Sequence, residues 1–198
     1  SNEKEISYLT AKSIYEHIDT DLYNPGLTDL SKFDPDNFDN ETIFFIAVHG
    51  EGGEDGKIQT LLENKKRKFT GSSSESCILT WDKVATKRAL IANDILTPQF
   101  KSIKNNEHFD FNDSFFTENE HYFVKPNFNG SSYGISKVSD KKFNEALKEA
   151  KKYSTEVIIE KSFNGPEYTV ALLKGTSLTP LQILHLSLIH ISEPTRPS

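Results

Sequence analysis

The stretch Thr42-Ile43-Phe44-Phe45-Ile46-Ala47-Val48 is one continuous, largely apolar run, and it stops abruptly at His49-Gly50-Glu51-Gly52-Gly53-Glu54-Asp55-Gly56. Such a run has the length of a strand, and its lack of alternation suits a strand buried in a parallel sheet better than an amphipathic edge. Lys57-Ile58-Gln59-Thr60-Leu61-Leu62-Glu63 then reads as a helix. Ligands of open α/β sheets bind beyond the carboxyl ends of strands, which is where His49 falls. Four glycines in so short a loop imply close backbone approach or positive φ angles. A flexible turn explains them equally well, and on the residues alone His49 stands between the two readings.

A second constraint lies at Val124-Lys125-Pro126-Asn127-Phe128-Asn129-Gly130-Ser131-Ser132-Tyr133-Gly134-Ile135-Ser136-Lys137-Val138. It reads as strand, tight polar loop, strand. Pro126 lacks a backbone N–H and discourages continuation of the first strand. A loop of this composition can turn several N–H groups toward one anion, with Lys125 as a point charge beside it. It also fits an ordinary Gly-Ser hairpin turn. It is not a Walker loop, because no Gly-Lys-Ser/Thr follows and a strand comes next.

Elsewhere the pattern is simpler. From Ser7, residues Leu9, Ala11, Ile14, Tyr15 and Ile18 make an apolar helical stripe that ends at Asn24-Pro25-Gly26. Glu3 ahead of it is either a solvated first-turn charge or a carboxylate that holds a ligand's ammonium. A helical segment begins at Ser72 to Ser76 and closes at Asn93-Asp94; Lys83 and Lys87 lie four apart on one face and read as a solvated pair. Residues 99–121 carry no clear period and read as a connection anchored by Phe109, Phe111, Phe115 and Phe116. A helix over about 140–153 turns Phe143, Ala146, Leu147 and Ala150 inward, capped by Ser139 or Asp140. Strands follow at Glu156–Lys161 and Glu167–Leu173. Glu160 and Lys161 either meet a nucleotide's base and ribose or simply emerge into water.

Composition closes off some function classes. A net charge of −6 argues against a nonspecific nucleic-acid binder. The single Cys77 excludes an internal disulfide framework and fits a reducing compartment. No apolar run is long enough for a bilayer, and no signal peptide is visible. The tail over 184–198 resembles a translated sequencing adapter and is set aside. Its two histidines, His185 and His190, are poor evidence for a metal site.

Taken together, several stretches resemble the D-alanine–D-alanine ligase family of ATP-grasp enzymes. They are Ser1-Asn2-Glu3-Lys4-Glu5-Ile6-Ser7, the run from Ile46 through the glycine loop to Gln59, Thr70-Gly71-Ser72, Trp81-Asp82-Lys83, Val124-Lys125-Pro126, Gly130 to Gly134, Ile159-Glu160-Lys161 and Gly165-Pro166-Glu167-Tyr168-Thr169-Val170. The resemblance extends to about Ile183. It implies an α/β protein: an N-terminal parallel-sheet domain preceding the ATP-grasp (1–82, start incomplete), then the central α+β part of an ATP-grasp fold (83–183), with the C-terminal ATP-grasp part absent and 184–198 non-native.

The resemblance also implies roles. Glu3 orients the ammonium of the first D-alanine and joins a hydrogen-bond network with Ser131, and His49 faces the first substrate. Lys83 and Lys125 contact ATP phosphates. Ser132, Tyr133 and Gly134 belong to the loop over those phosphates. Glu160 and Lys161 meet the adenine edge, Phe163 adds a backbone contact, and Glu167 holds the ribose hydroxyls. Lys4 departs from the family's more usual His or Arg after the first Glu, keeping the charge without Arg's fixed fork. The implied partners are ATP and D-alanine, with Mg²⁺ or Mn²⁺ bound by residues expected outside this chain, and no nucleic acid or membrane. A cytoplasmic homodimer is implied at full length, and an inactive or barely nucleotide-binding chain at this length. A D-alanine–D-lactate ligase, another ATP-grasp carboxylate–amine ligase, or a non-catalytic nucleotide-binding module would share parts of this pattern.

Overall fold

The computed structural model describes residues 3–105, 107, 113–117, 120–130, 133–139, 142–173 and 175–184. The chain divides into two compact units, Ser1–Ser162 and Phe163–Ser198.

The first unit opens with α1 (Lys4–His17), in which no residue is fully buried. Leu9 and Tyr15, expected on the inward stripe, are exposed, whereas Glu3, Ser7, Thr10, Ala11 and Ile14 are half-buried. Polar bonds from Ser7 and Thr10 to His49 match this rotation of the helix, rather than the apolar stripe.

β1 (Ile43–Phe44) pairs in parallel with β2 (Lys68–Phe69). The parallel pairing matches the expectation; the burial on both faces that was also expected is not found. Ile43 and Phe45 are exposed. Between them Phe44 turns inward, edge-on to Phe33 and Phe38 at ring separations of 5.2 and 5.4 Å. Among the described residues β1 has one strand neighbour and one aromatic layer, so the run alternates despite its composition. The segment before β1 is tied down by Arg67, whose guanidinium donates to the carbonyls of Pro35, Phe38 and Asp39 and to Asn40 Oδ1.

After the glycine loop comes α2 (Lys57–Asn64), which buries Ile58, Gln59 and Leu62. The segment read as one helix over 72–94 is two, α3 (Ser74–Trp81) and α4 (Lys83–Ala92). Asp82 separates them. Its backbone is extended (φ −86°, ψ 101°), and its side chain accepts from Ala85 N at 2.8 Å, which caps α4.

The main sheet contains β3 (Phe100–Lys104), β4 (Tyr122–Pro126), β5 (Ser136–Val138) and β6 (Glu156–Lys161), in the order β3-β6-β4-β5, with every pairing antiparallel. β3 lies inside the span read as a connection. β4 and β5 form the expected hairpin, and β6 matches its expected range. α5 (Phe143–Ala150) buries the four residues assigned to its inner stripe. Its cap differs: Lys142 stands at the N-cap without a side-chain hydrogen bond, and Asp140 lies outside the described residues. The core under α5 includes Tyr122, Val124, Val157 and Ile159, with Phe115 and Phe116 packed against it. Strand alternation then sends Phe123, Lys125, Ile158 and Glu160 to the opposite face of the sheet.

In the second unit, β7 (Glu167–Thr169) pairs with β10 (Leu181–Ile183), and β8 (Leu172–Leu173) pairs with β9 (Thr176–Ser177), both antiparallel. The strand expected over 167–173 is therefore two short ones. Leu172 and Leu173, exposed at 73% and 62%, have no buried face to hold a longer ladder. Among the described residues no helix is long and apolar enough to cross a membrane.

Candidate active site

Two loops of the first unit meet at glycines. A Cβ built on Gly130 would stand 3.1 Å from Glu3 Oε2, 3.4 Å from Glu54 Oε2 and 3.5 Å from the Cα of Gly50. The loop after β4 therefore touches the glycine loop with two carboxylates at the contact. A side chain at Gly130 would sit in tight contact with the Glu3 carboxylate.

On one side of this contact lies the cluster around His49. The His49 N–H donates to Ser7 Oγ at 2.9 Å, and Ser7 Oγ donates to the Glu3 carbonyl at 2.9 Å. The ring shares a hydrogen bond between Nε2 and Thr10 Oγ1 at 2.9 Å, while Nδ1 lies 3.7 Å from Glu54 Oε1. The first turns of α1 thus hold the imidazole at the end of the β1 run. Ser7, Thr10 and Glu54 were not singled out from the sequence. Ser7 and Thr10 are three apart on the helix, which was the available signal.

On the other side stand the lysines. Lys83, the first residue of α4, sends its ammonium to the carbonyls of Asn127 at 3.2 Å and Asn129 at 2.7 Å. Burial pushes its pKa down, and the neighbouring charge of Lys125 adds to this, against the opposing pull of Glu160 and Asp82. Lys125 pairs with Glu160 Oε1 and lies over the Phe123 ring, 5.2 Å from its centroid. Burial pushes the Glu160 carboxyl up, but hydrogen bonds and charge from Lys125 and then Lys87 outweigh it and hold the pKa below the usual value. Lys87 is buried and lies 3.0 Å from Glu160 Oε2. The solvated reading of Lys87 is thereby corrected, because α4 packs that face onto the sheet.

Asn127 joins these parts. It is fully buried; its Oδ1 accepts from Val84 N at 2.9 Å, and its Nδ2 donates to Asp82 Oδ1 at 3.0 Å and Glu156 Oε2 at 3.3 Å. It ties the loop after β4 to the start of α4, and so places Lys83 beside that loop. Sequence reasoning passed over it as a turn residue.

The remaining expected residues fall as follows. Gly134 has φ +72°, and a Cβ there would lie 2.7 Å from Tyr153 Cδ2 and 2.8 Å from Pro126 Cγ, so glycine is required on two counts. Tyr133 is exposed, its ring 6.2 Å from that of Tyr153. Lys161 points to the other face from Glu160 and pairs with Glu120 at 3.1 Å. Ser131 and Ser132 lie outside the described residues. Phe163 and Glu167 belong to the second unit, where Phe163 is exposed and Glu167 lies on β7. Among the described residues no three or more His, Cys, Asp or Glu side chains converge as a metal site.

An antiparallel sheet carrying a lysine-lined face, with a glycine-rich loop at its edge, defines part of an ATP-grasp fold. Residues 91–191 match the family model described as D-ala D-ala ligase C-terminus, and the chain belongs to that family. It is 34% identical over 194 residues to a D-alanine–D-alanine ligase of Marinomonas sp. (strain MWYL1), covering 91% of this chain and 59% of that protein. A D-alanine–D-alanine ligase of Methylacidiphilum infernorum is 33% identical over 186 residues, covering 92% and 58%. The solved D-alanine–D-alanine ligase of Bacillus anthracis complexed with ATP superposes with a TM-score of 0.82 at 27% identity, covering 94% of this chain and 64% of that one. The chain thus spans just under three-fifths of the length of these two curated relatives.

Proposed function

We propose that the protein ligates two D-alanines to D-alanyl-D-alanine at the expense of ATP, releasing ADP and phosphate, as a step in peptidoglycan precursor synthesis. The activity is assigned to the whole protein. The observation that carries the reading is the Gly50–Gly130 contact, which sets the Glu3–His49 cluster against the loop whose base holds Lys83. Relatives named for this ligation, and a neighbouring structure holding ATP, support the same reading.

In this reading a carboxylate oxygen of the first D-alanine attacks the γ-phosphorus, and the bond to the β-phosphate oxygen breaks. The amine of the second D-alanine then attacks the acyl carbon, phosphate leaves, and the amine loses a proton. Lys83, Lys125 and N–H groups of the Gly130–Gly134 loop would neutralise charge on the transferring phosphoryl oxygens. Burial and the charge of Lys125 lower the basicity of Lys83, and a polyphosphate would add counter-charge beside its ammonium. Glu3 would hold the first ammonium, and His49 would face its carboxylate. Ser131 and Ser132, Glu160 and Lys161, and Phe163 and Glu167 keep the roles that the resemblance gives them.

The same proposal takes 1–82 as the N-terminal ligase domain, 83–183 as the central ATP-grasp subdomain and 184–198 as a non-native tail. It also takes the whole protein as a cytoplasmic homodimer. Calorimetric titration of the 198-residue chain with a non-hydrolysable ATP analogue tests the nucleotide half. Saturable binding that falls about tenfold or more in both Lys83→Met and Lys125→Met is expected. Binding unaffected by either substitution would sink the assignment.

A further inference from the structure

Lys87 has a role that neither composition nor resemblance assigns. Its ammonium donates to Thr97 Oγ1 at 2.8 Å and to the Pro98 carbonyl at 3.0 Å, and lies 3.0 Å from Glu160 Oε2. These contacts match the three protons of the group. The Phe100 ring, 5.3 Å away at its centroid, lies against it. Lys87 is 7% exposed, so it is walled in. Lys125 holds the other oxygen of the same carboxylate, but its side chain keeps 23% of its surface exposed. One carboxylate thus has an inner cation that is fully committed and an outer cation that can turn away.

A buried carboxylate stripped of its only cation is strongly unfavourable. If Lys125 were the sole partner of Glu160, turning it toward a ligand's phosphate would leave that carboxylate bare. We propose that Lys87 is a positioning residue: it is the permanent counter-ion of Glu160, and it thereby frees Lys125 to exchange the carboxylate for a polyphosphate oxygen. The identity of the ligand rests on the nucleotide reading above; the arrangement of the charges does not. Glu160 is faced by Lys87 from α4 and Lys125 from β4, with Lys83 near enough to interact through space. Lys125 is faced by Glu160, the Phe123 ring and the charge of Lys83.

The test uses Lys87→Gln, which keeps polar contact with Thr97 and Pro98 but removes the charge. The ammonium titration of Lys125 is followed by NMR in the 198-residue chain without ligand, and affinity for a non-hydrolysable ATP analogue is measured in parallel. In Lys87→Gln the carboxylate falls to Lys125 alone, so the Lys125 pKa is expected to rise by about one unit and the affinity to fall about tenfold. In a Glu160→Gln background, adding Lys87→Gln is expected to shift the Lys125 titration by less than about 0.3 unit and the affinity less than about twofold. An unchanged Lys125 titration in Lys87→Gln overturns the proposal even if affinity falls, because general loosening would weaken binding without moving that proton. If Lys87→Gln does not fold, Glu160→Gln is compared with the double variant. Matching Lys125 titrations sustain the proposal, and differing ones overturn it. A native chain that fails to bind the ATP analogue, as the resemblance allows at this length, removes the affinity arm, and the ligand-free titration still decides the role of Lys87.

Discussion

Glu3 occupies the space that any side chain at Gly50 would need: a Cβ built on Gly50 would lie 2.1 Å from Glu3 Oε2. The glycine also has φ +71°, a conformation that L side chains rarely adopt. The Glu3 carboxylate ends a flexible side chain and can shift, so Gly50→Ala should cost about 1–3 kcal/mol of stability chiefly through backbone strain. Urea unfolding measures it. Gly26→Ala is the control, since nothing lies within 4 Å of a Cβ there and its φ is not positive. Equal midpoints for the two variants would contradict the left-handed backbone at Gly50.

Asn127→Ala removes three side-chain hydrogen bonds and leaves Val84 N without its acceptor in a buried setting. A loss of about 2–4 kcal/mol is expected by chemical denaturation. Hydrogen exchange at Val84 N should also accelerate well beyond exchange in α5, which Asn127 does not touch. Uniform acceleration would mean that Asn127 is a general core residue and not the local tie between β4 and α4.

The Glu160 carboxyl gives a pH dependence with a definite sign. Its folded pKa lies below the ordinary 4.5, so near that value the unfolded chain binds more protons than the folded one. The stabilisation is complete above about pH 5 and is lost as pH falls through the lower folded value. Native protein and Glu160→Gln should differ most near neutrality. Their urea midpoints should draw together below about pH 4 as the native carboxyl protonates. A constant gap across the range would refute the paired, ionised state.

Gly134→Ala should weaken binding of a non-hydrolysable ATP analogue about tenfold or more, because the new methyl meets Tyr153 and Pro126 and forces the loop off its path. Gly165→Ala, at a position open to 4 Å, should leave affinity within about twofold of native. Affinity is read by calorimetry at constant salt. Equal affinities for the two variants would detach the loop conformation from ligand binding.

Several elements were readable from local pattern. The α5 stripe of Phe143, Ala146, Leu147 and Ala150, the β4–β5 hairpin around its polar loop, and β6 all depend on periodicities carried by adjacent residues. The break at Asp82 was also written locally, as a capping residue before Lys83, but helical periodicity on both sides concealed it. The burial of the run from Ile43 was misread because a strand's exposure depends on which neighbours cover it, and those lie far along the chain.

Residue order by itself determined α5, the β4–β5 hairpin and β6, the glycine positions that permit close approach, and the family to which the chain belongs. Tertiary structure decided the partners. Lys83 and Lys87 look alike on a helix surface, yet one reaches the carbonyls of Asn127 and Asn129 while the other is sealed against Glu160. Those contacts join residues 44 to 73 positions apart, and helical spacing carries no information at that range. Packing α4 on the sheet turned a pair of surface charges into a lysine bonded to the loop after β4 and a buried counter-ion.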